Sequence, residues 1–264
     1  MTARNDNRVA IVTGARPWGV GGAAAQALAH RGYDIVLVDI RQDWGEQSVE
    51  KIEGETGQRA IWVGADVSSR DDVVAMADAV LGEFGRIDAL VNNAAVGGAS
   101  STENFEVEEF NRTIGVNLLG PMLCTQAVVP AMKEANYGRI VSVASTAPFN
   151  PPPADMSPVS LYNAAKGGLI AWTKSAAAEL APYGIVVNVV ALGGISTGGM
   201  GSENPPTTEQ DEHMLNVVHR GLLPWGRLLG VEEAADVIAY AASAPSHAML
   251  GATIHASGGR VMPL

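Results

Sequence analysis

Tyr162 and Lys166 stand four residues apart in the alanine-rich run Ser160-Leu161-Tyr162-Asn163-Ala164-Ala165-Lys166. In a helix, four steps of about 100° each bring two side chains nearly into line, so the phenol and the ammonium share one face. A phenol ordinarily holds its proton up to about pH 10. A fixed positive charge nearby favours phenolate and draws that value toward neutrality, which suits a group that must both take and give a proton. The spacing alone also fits an ordinary amphipathic helix, so its meaning depends on what precedes it.

A second constellation lies near the N-terminus, in Thr13-Gly14-Ala15-Arg16-Pro17-Trp18-Gly19-Val20-Gly21. Its glycines permit a tight turn and let backbone N–H groups approach a phosphate at the positive end of the helix that follows. Twenty residues beyond Gly19 stands Asp39. A carboxylate there can accept from both ribose hydroxyls of an adenosine and repels a 2′-phosphate, which favours NAD(H) over NADP(H). Arg16 is the contrary sign, since a cation in this turn could reach such a phosphate.

The elements that must position these groups are legible as alternating runs. Val9 to Thr13, Asp34 to Asp39, Ala60 to Asp66, Ala89 to Asn92, Arg139 to Ser145, Val186 to Leu192 and Thr253 to Ala256 read as strands, nearly continuous in apolar residues. Such strands are buried on both faces, as in a parallel sheet. Helical segments fall near residues 21–31, 43–56, 70–84, 106–134, 159–181 and 231–243. The alternation predicts a doubly wound α/β sheet, which binds ligands beyond the carboxyl ends of its strands where the order reverses.

Composition narrows the function classes. The 264 residues suit one large α/β domain, with 47% apolar and 17% charged residues and 30 glycines for tight strand-to-helix turns. A formal charge of −11 without any Lys/Arg-rich run argues against a nucleic-acid surface. No apolar run reaches the ~18 residues of a membrane span, and the polar N-terminus lacks a secretory core, so no membrane partner and a cytoplasmic location are expected. The single cysteine, Cys124, excludes an internal disulfide framework and reads as a buried thiol. His213 and His219 lie six apart, on different helix faces, so no metal site is expected.

Further matches gather at the carboxyl ends of the strands: Asp66-Val67 and Asn92-Asn93-Ala94-Ala95. With the Thr13-Gly14 turn, Asp39, Val116-Asn117, the Val141 to Ser145 strand, Tyr162 to Lys166, and Asn188 through Thr197, the chain resembles the short-chain dehydrogenase/reductase family over essentially its whole length. The resemblance implies a single Rossmann-like domain over 1–264, with a seven-stranded parallel sheet and helices on both faces. It implies Tyr162 as general acid/base, Lys166 lowering its pKa while holding the nicotinamide ribose, and Ser145 bonding the substrate oxygen. Asn117 would anchor a water linking Lys166 to solvent. An NAD cofactor would be bound by Gly14, Arg16, Trp18, Gly19, Val20, Asp39, Ile40, Asp66, Val67, Asn93, Ala94, Ala95, Tyr162, Lys166, Gly193, Ile195 and Thr197. A homo-oligomer, in the family's manner a tetramer, would form through the helices around 106–134 and 159–181 and the C-terminal segment.

The chain also departs from the family pattern. Four residues separate Gly14 from Gly19, where three are usual. Asn-Asn-Ala-Ala closes the fourth strand where a glycine is usual, and Leu192-Gly193 stands in place of Pro-Gly. Between Ser145 and Tyr162 an unusually long stretch, Pro148 to Pro158, carries five prolines and forms a stiff wall at the site mouth. The opposite wall is a substrate lid at about 198–226, with Gly198, Gly199 and Gly201 as a pliable start and a short helix within Thr207 to Arg220. The lid carries Glu203, Glu209, Asp211 and Glu212, and Asp155 adds a further acid on the proline-rich wall. Phe149, Met156, Met200, Met214 and Leu215 supply apolar surface. A neutral, largely apolar secondary alcohol or ketone is the substrate expected of such walls. The alternatives are an enoyl reductase or epimerase on the same fold, or a dinucleotide-binding regulator without turnover. The intact Ser145, Tyr162, Lys166 and Asn117 favour the dehydrogenase.

Overall fold

A computed structural model describes residues 7–97, 101–152, 159–198, 202–218, 221–245 and 247–262. Seven strands, β1 (Arg8–Thr13), β2 (Tyr33–Asp39), β3 (Ala60–Gly64), β4 (Ala89–Asn92), β5 (Gly138–Ser145), β6 (Ile185–Leu192) and β7 (Thr253–Ala256), form one sheet in the order β3-β2-β1-β4-β5-β6-β7. Every pairing is parallel. The expected doubly wound sheet is therefore present. Its continuous apolar runs are buried on both faces, one packed with α1 (Val20–Ala29) and α8 (Val231–Ser243), the other with α3 (Arg70–Phe84), α5 (Gly120–Glu134) and α6 (Ser160–Leu180). Small residues make the first layer tight: Ala24, Ala25, Ala239 and Ala242 are wholly buried, so α1 and α8 approach closely.

Strand order reverses between β1 and β4, which opens a crevice beyond their carboxyl ends. The turn after β1, the ends of β4 and β5, and the first turns of α6 all meet its rim. The remaining helices are α2 (Gln42–Thr56), α4 (Val107–Ile114) and, in the lid, α7 (Thr208–His213).

Three boundaries differ from the sequence reading. β3 stops at Gly64, short of Asp66, because the edge strand has only β2 to pair with and that ladder ends at Asp39. The helix expected over 106–134 is interrupted by a π-turn at Gly115–Leu119, so Asn117 sits in a local widening between α4 and α5. In the lid a second π-turn, Met214–Val218, follows α7. The membrane expectation also needs qualifying: Val107–Glu134 is long and apolar enough to cross a bilayer by composition. Yet it encloses a fully buried Asn117 and an internal Pro130, and its inner face, with Leu123, Cys124, Val128 and Met132, packs into the core. Pro153 to Pro158 with Asp155 and Met156, Gly199 to Gly201 with Met200, and His219 and Arg220 lie outside the described residues.

Candidate active site

Ser145 closes β5, and its Oγ accepts the Ala147 N–H at 3.1 Å, which fixes the hydroxyl at the strand end. The Tyr162 phenol, in the first turn of α6, lies close enough to the Ser145 hydroxyl for that hydroxyl to favour its ionised form. One turn on, Lys166 is 2% exposed and donates from Nζ to the Val143 carbonyl at 2.8 Å. Its Nζ lies 5.9 Å from the Tyr162 ring centroid. The three groups thus come together as the four-residue spacing and the strand end predict.

Their electrostatics run against the sequence expectation. Burial pushes the Tyr162 phenol up to about 12, and only the nearby Ser145 hydroxyl works the other way. Burial likewise pulls the Lys166 ammonium down to about 8. The ammonium is aimed at a carbonyl rather than at the phenol, so desolvation outweighs the charge pairing and both groups are driven toward their neutral forms.

Asn117 takes a structural part as well. Its Oδ1 accepts the Val96 N–H at 3.2 Å and its Nδ2 donates to the Val96 carbonyl at 2.8 Å. With both ends of the amide bonded to one residue, the side chain clamps the loop after β4.

The turn after β1 is built by steric necessity. Gly14 has φ +78°, and a Cβ on Gly21 would sit 1.9 Å from the Gly14 carbonyl oxygen, so the turn closes directly on the helix. Thr13 Oγ1 accepts the N–H groups of Asn93 and Ala94, each at 3.0 Å, and Asn93 Nδ2 donates to the carbonyls of Thr13 and Gly14 at 2.9 and 3.1 Å. Asn93 therefore frames the turn with its side chain. Among the described residues no side chain caps α1 and its first turn carries no acid; the Gly19 N–H is given to the Arg16 carbonyl at 3.0 Å, and the N–H groups from Val20 onward lie at the positive helix end for an anion.

Asp39 ends β2, facing this turn. Its Oδ2 accepts the Ala15 N–H at 2.7 Å and its Oδ1 the Arg41 N–H at 3.0 Å. Burial raises its pKa, while those two N–H groups pull it back. Each oxygen retains a second lone pair, so the carboxylate is anchored and still able to accept from a diol. Ile40 beside it is 73% exposed, an apolar side chain laid open at the rim. Asp66 is exposed and accepts from the Ser68 N–H and hydroxyl at 2.8 and 2.7 Å, while Val67 is buried beneath it. Trp18 meets Trp44 edge-on at 5.8 Å. Ala95 is exposed on the opposite lip.

On the far side, a Cβ on Gly193 would come within 2.8 Å of Ser257, so glycine is what lets β6 and the C-terminal turn close up without the usual proline. Ile195 bridges Leu229, and Thr197 opens the lid, where Ser196 hydrogen-bonds Asp211 of α7. Sequence reasoning missed several contributors. Arg260, 8% exposed, donates from Nη2 to the Asn150 carbonyl at 3.1 Å, and Phe149 stacks on His255 at 5.1 Å, so the C-terminal segment props the proline-rich wall. Arg16 donates to the Ser202 carbonyl in the lid, and Arg41 pairs with Glu203 there. No local pattern signals these contacts, because they join segments far apart in the chain.

The short chain dehydrogenase pattern matches residues 8–208, more than half of the chain. This protein is a short-chain dehydrogenase/reductase. Trans-4-hydroxycyclohexanecarboxylate dehydrogenase of Sinomonas cyclohexanicum is 35% identical, covering 98% of this chain and 95% of its own. The 3-oxoacyl-[acyl-carrier-protein] reductase of Synechocystis sp. is 34% identical, covering 97% of each chain. Among solved structures, a short-chain type dehydrogenase/reductase from Mycobacterium marinum superposes with a TM-score of 0.85 at 31% identity, covering 97% of this chain and 96% of that one. The dehydrogenase is thus an oxidoreductase by family, with relatives that act on hydroxy acids and oxoacyl groups.

Proposed function

We propose that this dehydrogenase passes a hydride between NAD(H) and a secondary alcohol or ketone. The observation that carries the reading is the placement of the Ser145 hydroxyl at the end of β5 beside the Tyr162 phenol, with Lys166 one helical turn away beside the crevice. The crevice suits a dinucleotide: the glycine turn leaves no room for a Cβ at Gly21, the uncapped end of α1 accepts an anion, and Asp39 is fixed where a ribose diol would lie. When bound, the nicotinamide supplies the hydride acceptor or donor.

The chain does the rest. Ser145 donates to the substrate oxygen and orients it toward the phenol, and Tyr162 removes the hydroxyl proton in oxidation or returns it in reduction. Because burial holds the phenol high, Lys166 must turn from the Val143 carbonyl toward Tyr162 for its charge to favour phenolate. Asn117 keeps the loop after β4 in place below the crevice. Asp39 selects the unphosphorylated ribose, and titration with both cofactors by fluorescence quenching tests this. Discrimination of about ten-fold or more for NADH is expected from one charged hydrogen bond. Tighter NADPH binding would mean that the neighbouring arginines outweigh the carboxylate.

The acidic lid favours a neutral, largely apolar substrate. A second reading, a cyclic hydroxy acid, is favoured by the Sinomonas cyclohexanicum relatives, both 4-hydroxycyclohexanecarboxylate dehydrogenases. Comparing kcat/KM for matched acids and methyl esters separates the two, since better turnover of the acids would overturn the neutral reading. The single cysteine supports a reducing, cytoplasmic setting. The groove between α5 and α6, where Met122, Val129, Pro130 and Trp172 lie among the charged Arg70, Lys133 and Glu179, supports assembly into a homo-oligomer, for which the family resemblance favours a tetramer.

A further inference from the structure

Two arginines near Asp39 hold the substrate lid: Arg41, two residues on in the chain, and Arg16, next to the Ala15 whose N–H the carboxylate accepts. Arg16 donates from Nη1 to the Ser202 carbonyl at 3.1 Å, across 186 residues of chain. Arg41 pairs through Nη1 with Glu203 Oε1 at 3.1 Å, and through Nε and Nη2 with Asp43 at 3.0 and 2.9 Å. Its guanidinium lies over the Trp44 ring, 4.5 Å from the centroid, and Trp44 in turn braces Trp18. The lid segment is itself turned tightly here, with Ser202 Oγ donating to the Asn204 carbonyl at 2.8 Å. A lid that starts at Thr197, beside the substrate end of the crevice, therefore reaches back to the end marked by Asp39.

We propose that Ser202–Asn204 is a strap that latches the lid to the adenosine side of the cofactor crevice, and that Glu203, by occupying Arg41, disfavours a 2′-phosphate there. The position of the ribose rests on the NAD(H) reading above, whereas the latch joins residues of the cofactor-free chain and stands by itself. A phosphate beside Asp39 would be drawn to Arg41 and Arg16, the cations at that rim. In the latched state those cations face three carboxylates, Asp39, Asp43 and Glu203, so the rim carries net negative charge. A 2′-phosphate and the closed strap compete for the same donors, while an unphosphorylated ribose leaves the strap shut. Cofactor choice and lid position are thereby coupled.

The test compares the unmodified protein with Glu203→Gln and with Glu209→Gln, which removes the same charge from an exposed position on α7. NADH and NADPH affinities are read by tryptophan fluorescence, and strap opening by hydrogen exchange of the peptide spanning 202–213, which includes the hydrogen-bonded amides of Thr207 and Asp211, without cofactor. Glu203→Gln is expected to tighten NADPH relative to NADH by about 3- to 10-fold and to speed exchange severalfold, with Glu209→Gln within about two-fold on both readouts. Equal shifts from the two substitutions would reduce the effect to the general field of the lid and overturn the proposal, as would unchanged selectivity and exchange in Glu203→Gln. If the unmodified protein prefers NADPH, the NAD(H) reading fails by itself. The exchange comparison then decides the latch: faster exchange in Glu203→Gln retains it, and unchanged exchange removes it.

Discussion

Tyr162 and Lys166 are both held in surroundings that disfavour charge, and each substitution there has a distinct signature. Tyr162→Phe removes only the proton-transfer group, so turnover should fall by about 10²- to 10⁴-fold with NADH affinity nearly unchanged. A fully active variant in steady-state assays would contradict the assignment. For Lys166 the sign follows from burial: its folded pKa, about 8, lies below the ordinary 10.5. Below pH about 8 both folded and unfolded chains carry the ammonium, and the fold bears the full cost of burying it. Between about 8 and 10.5 the unfolded chain keeps a proton that the folded chain has shed, so stability contributed by this site rises with pH through that window. Lys166→Met should therefore lose activity yet gain on the order of 1–2 kcal/mol at neutral pH, the lost Val143 hydrogen bond offsetting part of the relief. Urea unfolding should show that margin shrinking as pH climbs past about 8. A margin that widens instead would mean that the ammonium is not desolvated.

At the scale of elements, the turn between β1 and α1 is the least tolerant part of the site. Gly21→Ala places a Cβ 1.9 Å from the Gly14 carbonyl oxygen, which is backbone, and 2.5 Å from Asn93 Nδ2, whose amide is itself bonded to that turn. The expected loss is about 3 kcal/mol or more, despite the better helix propensity of alanine, together with at least a ten-fold weaker affinity for dinucleotide. Gly54→Ala, in α2, has nothing within 4 Å of the new Cβ and should instead stabilise by about 0.5–1 kcal/mol. Thermal unfolding of the pair checks both directions, and similar shifts in the two variants would show that propensity rather than the close approach governs Gly21. The π-turn at Gly115–Leu119 has a comparable local logic: it brings Asn117 to Val96, so the widening is repaid by two hydrogen bonds to the loop after β4.

For the whole molecule, the α5–α6 groove is the face proposed for assembly. A charge at Met122, which lines it, should be incompatible with a buried interface. Met122→Glu is expected to convert a tetramer into smaller species in sedimentation velocity, with a lower Tm from lost association. An unchanged sedimentation coefficient would move the interface elsewhere. Cys124 offers no competing redox chemistry, since it is fully buried and burial pushes its thiol up to about 12.

Continuous apolar runs bounded by glycine and aspartate were enough to specify seven parallel strands, because a strand buried on both faces has no polar face to show. The four-residue step from Tyr162 to Lys166 likewise sufficed to put both on one helix face. Both signals are local: they depend only on strand and helix periodicity. What the sequence left open was set by contacts between distant segments. Whether Lys166 faces a phenol or a carbonyl depends on where β5 passes beneath α6, and that placement turned an expected lowering of the phenol pKa into a rise to about 12. Asn117 reads as a polar residue in a helix until the fold puts Val96 against both ends of its amide. Arg16 reads as a cation of the cofactor turn, and nothing local marks Arg41 or Arg260, until the lid and the C-terminal segment fold back onto all three. Periodicity determines which way a side chain points, and only the tertiary arrangement decides what it meets there and how much water is left around it.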